Sequence, residues 1–379
     1  MTEKELCIPG IATPYYVYDR TTLERTLDEI AACRGDIAVH YAVKANDNPD
    51  VLRLISSYGL GADCVSGGEV AKVLANGFPA SGTVLAGVGK RDDEIELALR
   101  NGIYCLNAES EEELAVINQI AAEMGVTASV AIRINPNIDA HTHANITTGT
   151  EENKFGIPIG SVDETLSFIN SCKSLQFKGL HFHIGSQITE YNCFSLLCAT
   201  INRLVGELAS QGVMCEMVDV GGGLGVDYNA PSKNPIPDFR GYFNVWRNGL
   251  NLPAGTKVHC ELGRSVVAQC GHLITRVLFT KHTANRKFVI VDAGFTDLVR
   301  PALYDAWHDI ENISASENAN REKCDIVGPI CESSDVFAKD REIAAARRGD
   351  LLAIHSAGAY GEVMASQYNA RPLIKGYLK

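Results

Sequence analysis

The sequence predicts a (β/α)8 barrel followed by a β-rich domain, and three observations carry that prediction. Short apolar runs rich in β-branched residues alternate with longer segments of helical period. The alternation repeats eight times over roughly 230 residues, the size of such a barrel. After residue 264 the helical periodicity becomes sparse and strand-like runs dominate.

The strand-like runs lie at 37–44, 61–65, 83–89, 104–107, 128–135, 177–185, 217–223 and 257–264. Helical segments lie between them at 51–58, 68–76, 91–100, 110–124, 162–172, 194–211 and 239–251. The acidic residues of 109–113 suit a helix start, where the backbone dipole favours negative charge. An open doubly wound sheet is the alternative reading of the same alternation. Beyond the barrel, 266–278 and 287–292 read as strands, and 350–354 precedes a final glycine-containing stretch. Residues 312–320 are polar and read as an exposed loop, and 14–18 is strand-like. The expected domains are a barrel over 20–270 and a β-rich domain made of 1–19 and 271–379.

The chain has 379 residues, 46% hydrophobic and 21% charged, the balance of a globular protein with a sizeable core. It carries 34 basic and 46 acidic residues, a net charge of −12. Such a chain is poorly suited to nucleic acid or an anionic membrane. There is no apolar run long enough to span a bilayer, and the first residues lack the pattern of a signal peptide. The 12 cysteines are scattered without a C-x-x-C pair, mostly in apolar runs, and read as buried thiols of a reducing, cytoplasmic compartment.

Function in this architecture collects at the carboxyl ends of the barrel strands. There the sequence places Lys44, Asp63, His183, the glycines Gly221, Gly222 and Gly223, and Glu261, Gly263 and Arg264. Each is weak alone: a strand-end lysine is usually solvated, a histidine is often a core residue, and glycines may only turn the chain. Together they fit pyridoxal phosphate. That cofactor needs an amine for its aldehyde (Lys44), backbone amides and a hydroxyl for its phosphate (the glycines with Ser186), an acid at its pyridine nitrogen (Glu261) and a flat group on one ring face (His183).

Five motifs, Y-A-V-K-A-N (41–46), H-F-H-I-G-S-Q (181–187), D-V-G-G-G-L-G (219–225), E-L-G-R (261–264) and C-E-S-S-D (331–335), occur in the order found in the fold-type III, alanine racemase-like pyridoxal phosphate decarboxylases, and the chain resembles that group over essentially its whole length. Within it, segments 139–149, 152–157, 292–308 and 359–372 resemble the diaminopimelate decarboxylase family. The resemblance implies decarboxylation of meso-2,6-diaminopimelate to L-lysine and carbon dioxide, the last step of lysine biosynthesis. It implies that Lys44 carries the cofactor, His183 stacks on its ring and Glu261 meets the ring nitrogen. Asp63, Ser186, Gly222, Gly223, Gly263, Arg264 and Tyr368 would complete the cofactor set. Arg264, Arg300, Tyr304, Glu332 and Tyr368 would bind substrate, and Cys331 would donate a proton. Cys331 and Glu332 would reach the partner's site in a homodimer.

One departure is Leu262, where the family usually has proline: proline fixes φ and leucine does not, while the flanking Glu261, Gly263 and Arg264 are kept. The H-x-H pair His141 and His143 could ligate zinc but lacks a nearby third ligand, so no metal is expected. A carboxylated-polyamine or other diamino-acid decarboxylase, a racemase of the same fold and a non-catalytic cofactor-binding protein are the competing readings. Arg300 counts against substrates with a bare distal ammonium, which it would repel. The loop 141–155 is the candidate lid.

Overall fold

The computed structural model describes residues 6–138, 154–316 and 318–379; the H-x-H pair and nearly all of the candidate lid lie outside them. The described chain divides into two compact units, one of residues 27–225 and 238–263, the other of residues up to 26, 226–237 and 264–379.

Strand β1 (Tyr15–Tyr18) and helix α1 (Arg20–Cys33) precede the barrel. Helix α1 was not anticipated, although its signal is plain in the sequence. Asp19 accepts the backbone N–H of Thr21 and Thr22, and Leu23, Leu27 and Ile30 repeat at helical spacing and are buried.

Eight parallel strands then close on themselves: β2 (Ala38–Ala42), β3 (Gly61–Cys64), β4 (Thr83–Leu85), β5 (Cys105–Ala108), β6 (Ala128–Asn135), β7 (Leu175–Phe182), β8 (Met217–Asp219) and β9 (Lys257–Leu262). Each pairs with its sequence neighbours, and β9 returns to β2, with Glu261 opposite His40 and Leu262 opposite Tyr41. The sequence's alternation is therefore a barrel and not an open sheet. Leu262 keeps its place in this ladder and is buried.

The helices between strands follow from their caps and periods. In α3 (Gly67–Ala75) the Ser66 hydroxyl accepts the N–H of Glu69, and in α5 (Glu111–Met124) Ser110 does the same for Glu113. Helix α5 ends at Gly125, whose φ of 68° suits a left-handed C-terminal residue.

Several barrel strands are shorter than the apolar runs suggest, among them β4, which stops at Leu85 where the run continues to 89. Strand β2 stops at Ala42, and Val43–Ala45 forms a tight 3-10 turn that carries Lys44 beyond the strand end. Strand β8 stops at Asp219 because Gly221 takes a left-handed φ of 72°, which no strand residue adopts.

The second unit holds an eight-stranded mixed sheet. Its long strand β10 (Gly271–His282) pairs with β1, with β11 (Lys287–Val291) and with β15 (Leu351–Ile354). The remaining members are β12 (Ile310–Asn312), β13 (Arg321–Val327), β14 (Val336–Ala344) and β16 (Gly376–Leu378). The expected strand at 266–278 begins later, since Arg264–Val267 is a helical turn. The expected exposed loop at 312–320 also needs correction at its start. Asn312 is buried and gives its amide to Asp350 and to the carbonyls of Ala344 and Ala345.

Candidate active site

In the barrel unit the strand ends bring together Lys44, Asp63, His183, Gly222 and Glu261. The Lys44 ammonium donates to Asp63 Oδ2 at 3.0 Å, with Asp63 wholly buried at the end of β3. Burial, with Glu261 nearby, pushes the Asp63 carboxyl up to about 6, although Lys44 opposes the rise.

Glu261 lies on β9 between two histidines, with Oε1 3.2 Å from His181 Nε2 and Oε2 3.8 Å from His183 Nδ1. The closer pair is poorly aligned, so Glu261 Oε1 is a buried oxygen without a hydrogen-bond partner. Burial alone would raise the Glu261 carboxyl, but His181, Lys44 and His183 outweigh it and hold it well below the usual range. Asp219, beside it and buried, is driven the other way by burial and by the Glu261 charge. Of these three neighbouring carboxyls, Glu261 is the one that gives up its proton most readily, while Asp63 is paired with the Lys44 ammonium.

His183 directly follows β7 and accepts the N–H of Gly222 at its Nδ1, 3.3 Å away. Burial first, and then the cations Arg133 and Lys44, push its imidazole down to about 3, so it is a neutral, flat ring. The glycines are fixed by close approach. A Cβ on Gly222 would stand 1.9 Å from the Glu261 carbonyl oxygen, and one on Gly223, at φ 108°, 2.9 Å from that of Gly185. Gly263 packs against Ala42 and Ala45 in the same way. Ser186 follows in the loop after β7 and is half-buried.

These residues fit pyridoxal phosphate on one structural ground. A buried carboxylate that keeps its charge and has an unused oxygen is the acceptor a protonated pyridine nitrogen requires. His181, Asp219 and Glu261 offer ligand atoms within 4.8 Å of one another, but the raised proton affinity of Asp219 makes it a poor metal ligand.

The second unit gathers the arginines. Arg264 Nη1 donates to the Tyr228 hydroxyl at 2.8 Å, and its guanidinium lies 4.8 Å from the Tyr360 ring centre. Arg300 lies 4.5 Å from the centre of the Tyr228 ring and donates through Nη1 to His308 Nε2 at 2.7 Å. Both arginines are buried, and among the described residues Arg300 forms no ion pair with a carboxylate. The two cations hold the Tyr228 phenol below its ordinary value even though burial pushes it up. Tyr304 closes the short helix α10 (Arg300–Tyr304).

Cys331 and Glu332 are exposed. The Cys331 N–H donates to Asn369 Oδ1 at 2.8 Å, which ties it to the turn that holds Tyr368, stacked on Phe295 at 6.0 Å. Neither Cys331 nor Glu332 is bonded to Arg300. Tyr228, His308, His181 and Asp219 were not singled out from sequence. The two last lie inside motifs already noted, while Tyr228 and His308 had no signal beyond their neighbours.

Comparison with known proteins shows the family. A family profile described as "Pyridoxal-dependent decarboxylase, pyridoxal binding domain" matches residues 20–268. The chain is 52% identical over 370 residues to diaminopimelate decarboxylase of Bacteroides thetaiotaomicron, covering 97% of this chain and 95% of that one. It is 43% identical over 364 residues to the enzyme of Neisseria meningitidis serogroup A, covering 96% and 88%. The crystal structure of Helicobacter pylori diaminopimelate decarboxylase complexed with L-lysine superposes with a TM-score of 0.90 at 40% identity, covering 97% of this chain and 92% of that one. With its closed parallel barrel, its Lys44–Asp63 pair and its charged Glu261, this chain belongs to the diaminopimelate decarboxylase family of pyridoxal-dependent decarboxylases.

Proposed function

We propose that this chain removes one carboxylate of meso-2,6-diaminopimelate as carbon dioxide and leaves L-lysine. The observation that carries the substrate assignment is Arg300: a buried guanidinium with no carboxylate partner among the described residues. Burying an uncompensated cation costs several kcal/mol, of order 3–5. A ligand carboxylate offsets that cost, and a bare distal ammonium, as in ornithine, would increase it.

Pyridoxal phosphate, when bound, supplies an electron sink for the pair released as the Cα–carboxylate bond breaks. The residues have separable tasks around it. Lys44 would provide the amine for the cofactor aldehyde, and Asp63 keeps that amine in place. Glu261 holds a proton at the ring nitrogen. His183 would present a neutral face to the ring, and Ser186, Gly222, Gly223, Gly263, Arg264 and Tyr368 would hold the phosphate. Arg300 and Arg264, with Tyr304 and Tyr368, bind the distal carboxylate, while Glu332 receives the distal ammonium. Cys331 delivers the proton that replaces carbon dioxide at Cα.

Two further assignments belong to this reading. Residues 20–270 form the cofactor-binding domain, and 1–19 with 271–379 form the β-rich domain; the profile match over 20–268 supports the first. The working form is a cytoplasmic homodimer in which exposed Cys331 and Glu332 serve the partner's site. Among the described residues no helix is long and apolar enough to cross a membrane.

Steady-state kinetics of Arg300→Ala tests the assignment. The KM for diaminopimelate should rise by about tenfold or more, the loss of a charge-assisted bond, while the cofactor stays bound. An unchanged KM removes Arg300 from the substrate site.

A further inference from the structure

We infer that His308 is a positioning residue for substrate specificity: as an acceptor at Nε2 it aims Arg300 while leaving its charge free for the substrate carboxylate. The inference rests on the reading that Arg300 binds that carboxylate.

The tautomer follows from the bonds. His308 Nδ1 lies 2.9 Å from the His355 carbonyl oxygen, which can only accept, so Nδ1 carries the hydrogen. Nε2 is then a lone pair, and Arg300 Nη1 donates to it at 2.7 Å. The backbone is held as well, since Arg341 Nη1 donates to the His308 carbonyl at 2.8 Å. The Tyr228 ring meets His308 edge-on at 5.4 Å and also lies against Arg300. His308 is wholly buried, and burial followed by the Arg300 charge pushes its imidazole down to about 3.

The chemical choice matters more than the contact. An aspartate or glutamate in this place would hold Arg300 equally well but would neutralise it. A lysine or a protonated histidine would repel it. A neutral imidazole fixes one N–H and leaves the remaining donors of the guanidinium, and its whole charge, for a ligand. The aromatic face of Tyr228 supports the cation on the same terms, without cancelling it.

Equilibrium binding to the cofactor-loaded enzyme tests this without relying on turnover. L-Lysine keeps the distal amino-acid centre and its carboxylate; pentane-1,5-diamine lacks that carboxylate. His308→Asn keeps a donor near Nδ1 but cannot reach Arg300, whereas His308→Gln keeps an acceptor near Nε2. L-Lysine affinity should fall by about tenfold or more in His308→Asn and recover most of that loss in His308→Gln, with diamine affinity unchanged in both. Equal weakening of both ligands would mean a structural role only and would overturn the inference. Unchanged L-lysine affinity in His308→Asn, with weakened affinity in Arg300→Gln, would overturn it while sparing the role of Arg300. Unchanged L-lysine affinity in Arg300→Gln would remove both. Nitrogen-15 NMR of the unaltered enzyme gives a check that needs no variant. The His308 ring should stay neutral with its hydrogen on Nδ1 from about pH 5 to 8, and a protonated ring or the other tautomer contradicts the inference.

Discussion

At the scale of single residues, the chemistry is set by which buried groups keep their charge. Three carboxyls crowd the barrel mouth: His181, Lys44 and His183 hold Glu261 low against its burial, whereas burial raises Asp63 and Asp219. Replacing Glu261 by glutamine removes the anion and leaves the shape. We expect kcat to fall by about 100-fold or more with cofactor content preserved, measured by steady-state kinetics and cofactor absorbance; an unchanged kcat would deny Glu261 its role. Much of this was legible from the sequence. Lys44, Asp63 and Glu261 each stand at the end of an apolar run, and a barrel makes such ends converge. Tyr228 and His308 were not legible. Tyr228 follows the glycine segment in an irregular stretch, and nothing in W-H-D says that the histidine ring will turn its Nε2 to an arginine eight residues earlier. Such contacts are made by tertiary packing and have no period to read.

Secondary-structure elements show where local pattern and tertiary constraint part company. Strand β6 and helix α5 run as their patterns predict, because each is long and strongly patterned. The missed strands β12, β13, β14 and β16 lie in the sheet of the second unit, where β13 and β14 carry charged residues at exposed positions and bury Asp325 and Arg341 as well, which blurs the alternation. Their pairing depends on neighbours distant in sequence. Glycines mark the opposite case, in which a local residue reports a long-range contact. Gly222 is required because the Glu261 carbonyl occupies the space of its Cβ. Gly222→Ala should therefore cost about 1–3 kcal/mol of stability, read as a lower Tm, and should disturb Glu261 and His183 together. A wild-type Tm would show that β8 and β9 tolerate separation there.

For the whole molecule, buried histidines make stability depend on pH. His183, His259 and His308 are each pushed down to about 3, first by burial, from an ordinary value near 6.5. Below about pH 6.5 the unfolded chain takes up protons that the folded chain refuses. Each of these histidines thus contributes stability that is present above that pH and is lost as pH falls toward 3. Asp63, Glu69 and Asp297, raised to about 6, 7 and 6, act oppositely, since the folded chain protonates them first. A single variant separates the two sets. A ring nitrogen of His259 lies 2.9 Å from one of His40, and glutamine can keep a bond there. Between pH 7 and 5 the unfolding free energy of His259→Gln should fall by about 2 kcal/mol less than that of the unaltered protein; parallel profiles would mean that His259 is not held neutral. The central claim, that the uncompensated Arg300 selects a substrate with a distal carboxylate, has a more direct test. Carbon dioxide release by the cofactor-loaded protein can be compared for meso-diaminopimelate, L-ornithine and L-arginine. Release from diaminopimelate alone, with L-lysine as product, is the predicted result. Release from ornithine or arginine, or from none of the three with cofactor bound, would contradict it.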